Sequence, residues 1–172
     1  AMSLVESDWN GLAAAARTAP SDRLLAEHNR VAREVRRLIQ AGALPGAVKP
    51  IRLAVLRTIT AEILGPSMVA CLAGGDMAAE VTFGQLGNIT AEILDDKSFI
   101  YTQPFDVCVV LALAEHVLAG VGDPSSPVGP DAIEGHLSLL ARLADKFGGL
   151  VIACNFAPPA WRLAGRFQAQ SP

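Results

Sequence analysis

Several side chains in this sequence could do chemistry together if the fold gathers them. Thr58 and Thr60 lie just after an apolar run, Ile51–Leu56, with Arg57 between that run and the first threonine. A hydroxyl there could act as a nucleophile if a base took its proton, and a guanidinium beside it could hold a phosphate or carboxylate. Gly84 and Asn88 follow a second apolar run, Ala78–Phe83, where a backbone N–H or a side-chain amide could steady a developing oxyanion. His116 follows a third run and would be a base if an acidic group oriented it; Glu115 adjoins it, but adjacent side chains on a strand point apart. Asn155 follows a fourth run, Leu150–Cys154. Each residue also has an ordinary use. Threonine caps helices, asparagine suits turns, glycine allows tight bends, and arginine pairs with surface carboxylates. Ser98 and Tyr101, in a polar stretch before the third run, could line a pocket or satisfy loop backbone groups.

Cys71, Cys108 and Cys154 each sit in an apolar context. Their odd number and wide spacing fit neither a disulfide frame nor a zinc site, so they read as small core residues in a reducing cytoplasm. Cys154 is the best placed for a catalytic thiol, although no histidine is near it in sequence. No metal-ligand pattern occurs.

The elements that must position these residues alternate. A short helix is predicted over 7–17 and an amphipathic one from Arg23 to Ala41, with Leu24, Leu25, Val31, Val35, Leu38 and Ile39 on one face. Its other face carries Arg23, Arg30, Arg33, Arg36 and Arg37, with His28 on the apolar flank. Strands are predicted at Ile51–Leu56, Ala78–Phe83, Asp106–Leu113 and Leu150–Cys154. Between them lie a helix capped by Thr58 or Thr60 and running to about Leu72, with a kink or break at Pro66, a short helix Ile89–Leu94, and a helix from Asp131 to about Phe147. The apolar residues of that last helix, Ile133, Leu137, Leu140 and Leu143, lie near one face. Gly122–Pro130 reads as a loop. The hexapeptide Ile-Thr-Ala-Glu-Ile-Leu occurs twice, at 59–64 and 89–94, and both copies suit a threonine-capped helix start.

Four apolar strands separated by helices imply βαβ units and a mostly parallel sheet buried on both faces, an α/β three-layer sandwich. Such folds bind ligands at the carboxyl ends of their strands, where the candidate residues lie. The 172 residues suffice for one core without staples. A net charge of −3 argues against nonspecific nucleic-acid binding. No apolar run reaches ~18 residues without charge or proline, so no membrane span is expected, and no signal peptide is visible. Ala1 before Met2 reads as an expression-tag remnant.

With the loops placed, a resemblance emerges. Leu53-Ala-Val-Leu-Arg-Thr-Ile-Thr60, Phe83-Gly-Gln, Ile93-Leu-Asp-Asp-Lys-Ser98, Ile100-Tyr101, Pro104-Phe-Asp-Val-Cys-Val-Val-Leu111-Ala-Leu and Asn155-Phe-Ala-Pro-Pro159 fall in order. Over residues 50–172 the chain resembles the amino-terminal region of FkbH-like proteins. That family pairs an SGNH-hydrolase-like region with a haloacid-dehalogenase-type domain and loads a glyceryl unit, from a bisphosphoglycerate donor, onto an acyl carrier protein in polyketide assembly. The resemblance divides the chain into an amino-terminal helical extension, 1–48, and an SGNH-like α/β domain, 49–172, incomplete at its C-terminal end. It implies a piece of a longer cytoplasmic biosynthetic protein.

The chain departs from the family pattern in two places. No Asp-x-Asp-x-Thr motif occurs, and Asp95-Asp96 lacks its spacing. The glyceryl-loading chemistry and its Mg therefore belong to a domain outside this sequence, and no cofactor is expected within it. An active SGNH site needs a Gly-Asp-Ser nucleophile and an Asp-x-x-His pair; here the first position reads Arg57-Thr58-Ile59-Thr60 and the second pattern is missing. The resemblance thus implies a noncatalytic scaffold or carrier-recognition domain. Acyl carrier proteins are acidic, and Arg30, Arg33, Arg36 and Arg37 would steer one by long-range attraction. Two alternatives stand beside this. One is a working ester or thioester hydrolase or acyltransferase using Thr58, Thr60 or Cys154, with His116 as base. The other is a structural or oligomerising domain that pairs two chains as a homodimer.

Overall fold

The computed structural model describes residues 4–113 and 130–154. The element order is α1 (Leu4–Thr18), α2 (Leu24–Gln40), β1 (Lys49–Arg57), a 3-10 turn (Glu62–Leu64), α3 (Gly65–Ala73), β2 (Met77–Phe83), α4 (Ile89–Leu94), α5 (Phe99–Thr102), β3 (Val107–Leu111), α6 (Pro130–Lys146) and β4 (Leu150–Ala153). The strands form a four-stranded parallel sheet in the order β2-β1-β3-β4, flanked by helices. The α/β class and three-layer arrangement expected from the alternating pattern are the ones observed. No described helix is long and apolar enough to cross a membrane.

Two compact units emerge from the packing. Unit 1 comprises 1–54, 60–83 and 105–107, and unit 2 comprises 55–59, 84–104 and 108–172. In unit 1 the core consists of Trp9, Leu12, Val31, Val35, Leu38, Leu53 and Val69, all buried. The apolar stripe of α2 therefore does what its spacing predicts. His28 is buried on that stripe, its Nδ1 3.0 Å from Ser67 Oγ of α3, which is a structural use. Helix α1 is tied to the turn after α3 at two points. Trp9 Nε1 donates to Asp76 Oδ1 (3.1 Å), and Arg17 Nη1 donates to the Gly74 carbonyl (2.7 Å). Asp76 holds φ at 59°, a left-handed conformation that aspartate tolerates better than most residues.

In unit 2, Val55, Leu56, Cys108, Val109, Val110, Ile93, Ile100 and Leu143 are buried. Along β3 every residue from Val107 to Val110 is buried, as a strand covered on both faces requires. Strand β4 departs from that expectation. Its end-of-sheet position leaves Leu150 and Ile152 exposed. Helix α6 also buries less than its periodicity predicts: Leu143 is buried, whereas Ile133 and Leu137 are exposed. Among the described residues of this stretch the buried ones are Leu143, near the end of α6, and Phe147, just past it. The cysteines divide likewise. Cys108 is buried, and burial pushes its thiol up to about 12, but Cys71 and Cys154 are exposed rather than core residues.

The repeated hexapeptide takes two forms. At 89–94 it is α-helical, with the Glu92 N–H donating to the Asn88 carbonyl. At 59–64 it is an irregular stretch closed by the 3-10 turn, with the Leu64 N–H donating to the Ala61 carbonyl. The difference lies two residues beyond the first copy. Pro66 has no N–H to return to the carbonyl of Glu62, and its ring would crowd that carbonyl in a continuous helix. Proline is tolerated in a first turn, so a new helix starts at Gly65. Neither copy is capped by a threonine side chain.

Candidate functional site

The candidate site is the turn at the carboxyl end of β1, which lies in unit 2. Parallel strands end here in loops that face one edge of the sheet, the usual place for a ligand in this architecture.

Arg57 closes β1 and is buried. Its Nε donates to the Gly84 carbonyl (3.3 Å) and its Nη1 to the Ile59 carbonyl (3.3 Å). Its own carbonyl accepts the Gly87 N–H (2.9 Å). The guanidinium thus stitches the turn after β1 to the loop after β2. Desolvating an arginine is costly unless its donors are used, and these carbonyls use two of them.

Thr58 extends the pairing of β1 with β3. Its N–H donates to the Leu111 carbonyl (3.0 Å), and its Oγ1 accepts the Leu113 N–H (2.9 Å). The hydroxyl oxygen is therefore engaged by backbone. Thr60 is exposed.

Gly84 is buried, and its N–H donates to the Val55 carbonyl (2.9 Å). A Cβ there would stand 3.2 Å from Leu56 Cδ2 and 3.2 Å from Phe99 Cε1, so glycine is required for close packing. Gly87, at φ 76°, supplies the left-handed bend of the same loop. Asn88 occupies the residue before α4 without capping it, and its Nδ2 donates to Gln85 Oε1 (3.4 Å). His116 and Asn155 lie outside the described residues.

The structure therefore brings Arg57 together with Gly84, and Thr58 together with the end of β3. It also reveals a cluster that spacing alone does not single out. Ser98, buried, donates its hydroxyl to Glu92 Oε2. Tyr101 donates to the Ile93 carbonyl (2.9 Å), and burial raises its pKa. Lys146 of α6 lies 4.2 Å from the centre of the Tyr101 ring and pairs with Asp96, which Arg142 also approaches at 3.5 Å. Hydrogen bonding and charge attraction from Lys146 hold the Asp96 carboxyl below its usual range. Asp96, Ser138, Ala141, Arg142, Asp145 and Lys146 line an open hollow of about 680 Å³. The sequence offers one signal for this cluster: the polar run Asp95-Asp96-Lys97-Ser98 before a buried strand.

The arginine face of α2 is described within unit 1. Arg30 Nε is 2.9 Å from Glu27 Oε2, and Arg37 Nε is 2.7 Å from Glu34 Oε2. The Glu34 partner raises the pKa of Arg37. Among the described residues Arg33 and Arg36 make no ion pair. Glu27 and Glu34 thus halve the uncompensated charge that the four arginines would otherwise present.

The acidic pair of the same polar run does not suit a Mg site. Asp95 Oδ1 accepts the Lys97 N–H (2.9 Å), and Asp96 is taken by cations. Among the described residues no group of three metal-ligating side chains occurs.

The sequence matches no protein-family model and no curated protein. The structure is similar to the crystal structure of the N-terminal part of the protein BF1531 from Bacteroides fragilis, which contains a phosphatase domain complexed with Mg. The TM-score is 0.61 at 14% identity, over 81% of this chain. This chain spans about a third (36%) of the length of that one. At that identity the likeness shows the fold.

Proposed function

We propose that this chain is a noncatalytic α/β domain of an FkbH-like protein, acting as a scaffold or acyl-carrier-protein recognition module beside a glyceryl-transferring domain. The observation that carries the noncatalytic part is the turn after β1. Where an SGNH hydrolase would expose a nucleophile, Arg57 clamps two backbone carbonyls and the Thr58 hydroxyl accepts a backbone N–H. A turn built this way holds loops in place. The fold shared with the N-terminal part of a protein that contains a Mg-bound phosphatase domain supports the pairing with a phosphoryl-handling partner domain. The Mg would serve that other domain, because Asp95 and Asp96 are otherwise engaged.

Carrier recognition falls to α2. Arg33 and Arg36 form no ion pair among the described residues, and an acidic carrier protein would be drawn to them. Titration of a purified acyl carrier protein into wild type and into an Arg33→Glu, Arg36→Glu, Arg37→Glu variant tests this. Salt-sensitive binding lost in the variant is expected; unchanged binding would remove the recognition role. Assays with aryl esters and acyl thioesters test the noncatalytic part. Turnover abolished by Thr60→Ala would favour a working hydrolase instead.

A further inference from the structure

We infer that Glu27 and Glu34 are built-in competitors for the acidic partner of α2, holding two of its arginines so that binding stays weak and reversible. This rests on the carrier reading above and concerns the regulation of that same surface.

The quartet Glu-x-x-Arg occurs twice on α2, at 27–30 and at 34–37. Seven residues are two helical turns, so the quartets stack in one column about 10 Å apart. In each, the glutamate stands three residues before its arginine, within reach on the helix surface. The contacts are 2.9 Å from Arg30 Nε to Glu27 Oε2 and 2.7 Å from Arg37 Nε to Glu34 Oε2. The Asp8 carboxylate of α1 also attracts Arg37.

Arg33 falls three residues after Arg30 and four before Arg37, so these three exposed arginines form one line along the helix. Arg33 forms no ion pair among the described residues. The line is therefore open at its middle and held at both ends. Arg36 lies off it, in a groove shared with Glu62 and Glu80, and is no part of this device. The glutamates are 33% and 40% exposed against 46% and 63% for their arginines, so a partner reaches the guanidinium groups first. An incoming carboxylate there meets a charge already offset, and it must share the arginine or displace its glutamate. Exposed pairs of this kind are weak enough to be displaced, at a cost in affinity.

Glu34→Gln is the decisive substitution, because Glu27 also lies in the first turn of α2, where a carboxylate favours the helix itself. Fluorescein-labelled acyl carrier protein is titrated with the whole chain at low salt and followed by anisotropy. An exposed pair at this spacing is worth about a factor of two. Glu34→Gln should thus tighten binding about twofold, and Glu27→Gln with Glu34→Gln about fourfold. Glu134→Gln, which removes the same charge from an exposed position on α6, should leave the affinity unchanged. In an Arg37→Gln background the gain from Glu34→Gln should largely vanish. Binding seen only in the glutamine variants would also support the inference. It is overturned if those variants bind no more tightly than wild type, if Glu134→Gln tightens binding as much, or if the gain persists in full without Arg37. Loss of binding in the Arg33→Glu, Arg36→Glu, Arg37→Glu variant, with no gain from the glutamines, would sink this inference and leave the carrier reading standing. Unchanged binding in that arginine variant, or no binding by any form of the chain, would remove the carrier reading and this inference with it.

Discussion

Removing Arg57 should cost more than a single hydrogen bond, because two backbone carbonyls would lose their donor at once. Arg57→Met is expected to lower stability by about 2 kcal/mol or more. Thr58→Val, nearly the same shape, is expected to cost about 1 kcal/mol by stripping the Leu113 N–H of its acceptor. Urea unfolding checks both. Sequence placed these two residues at the end of a strand, but their partners Gly84 and Leu113 stand 27 and 55 positions away, beyond the reach of local pattern. A pH effect belongs at this scale too. The folded-state pKa of Asp96 is depressed below the ordinary 3.8 by Lys146 and Arg142. Its contribution is therefore present above about that pH and lost as pH falls through the lower folded value. The acid limb of the melting-temperature profile should flatten in Asp96→Asn, with no change near neutrality beyond the loss of the pair itself.

The elements show how much context adds to propensity. Local pattern found every strand of the described residues, and it placed α2 and α4 to within a residue or so, because hydrophobic period and glycine or proline punctuation are local signals. It does not tell the two copies of one hexapeptide apart; Pro66, outside the repeat, separates them through its effect on the Glu62 carbonyl. Cys71, Cys154, Ile133 and Leu137 looked like core by their neighbours, yet all four are exposed. Helix α1 gives the prediction at this scale. Trp9 is 2% exposed and carries both the packing and the Asp76 hydrogen bond that dock the helix. Trp9→Ala is expected to cost about 3–5 kcal/mol, as large buried aromatics do. Trp9→Phe should retain part of that packing while losing the hydrogen bond. Denaturant midpoints of the two variants separate the contributions.

For the whole molecule, charge is distributed rather than uniform. The chain is net −3, yet α2 carries four arginines against two glutamates. A partner steered by that helix should bind less tightly as ionic strength rises past about 0.1 M, where the screening length is about 10 Å. Carrier titrations at two salt concentrations check this, and a salt-independent affinity would point to apolar contact instead. Sequence by itself determined the α/β class, the sites of the turns, the acidic balance and the basic face of one helix. Each of these is set by residues within a few positions of one another. Tertiary structure alone decided the order β2-β1-β3-β4, which strands lie at the edges, which arginines of α2 pair with glutamates among the described residues, and that the first turn is a clamp. Those outcomes depend on hydrogen bonds and burial between segments distant in sequence, and no local pattern records them.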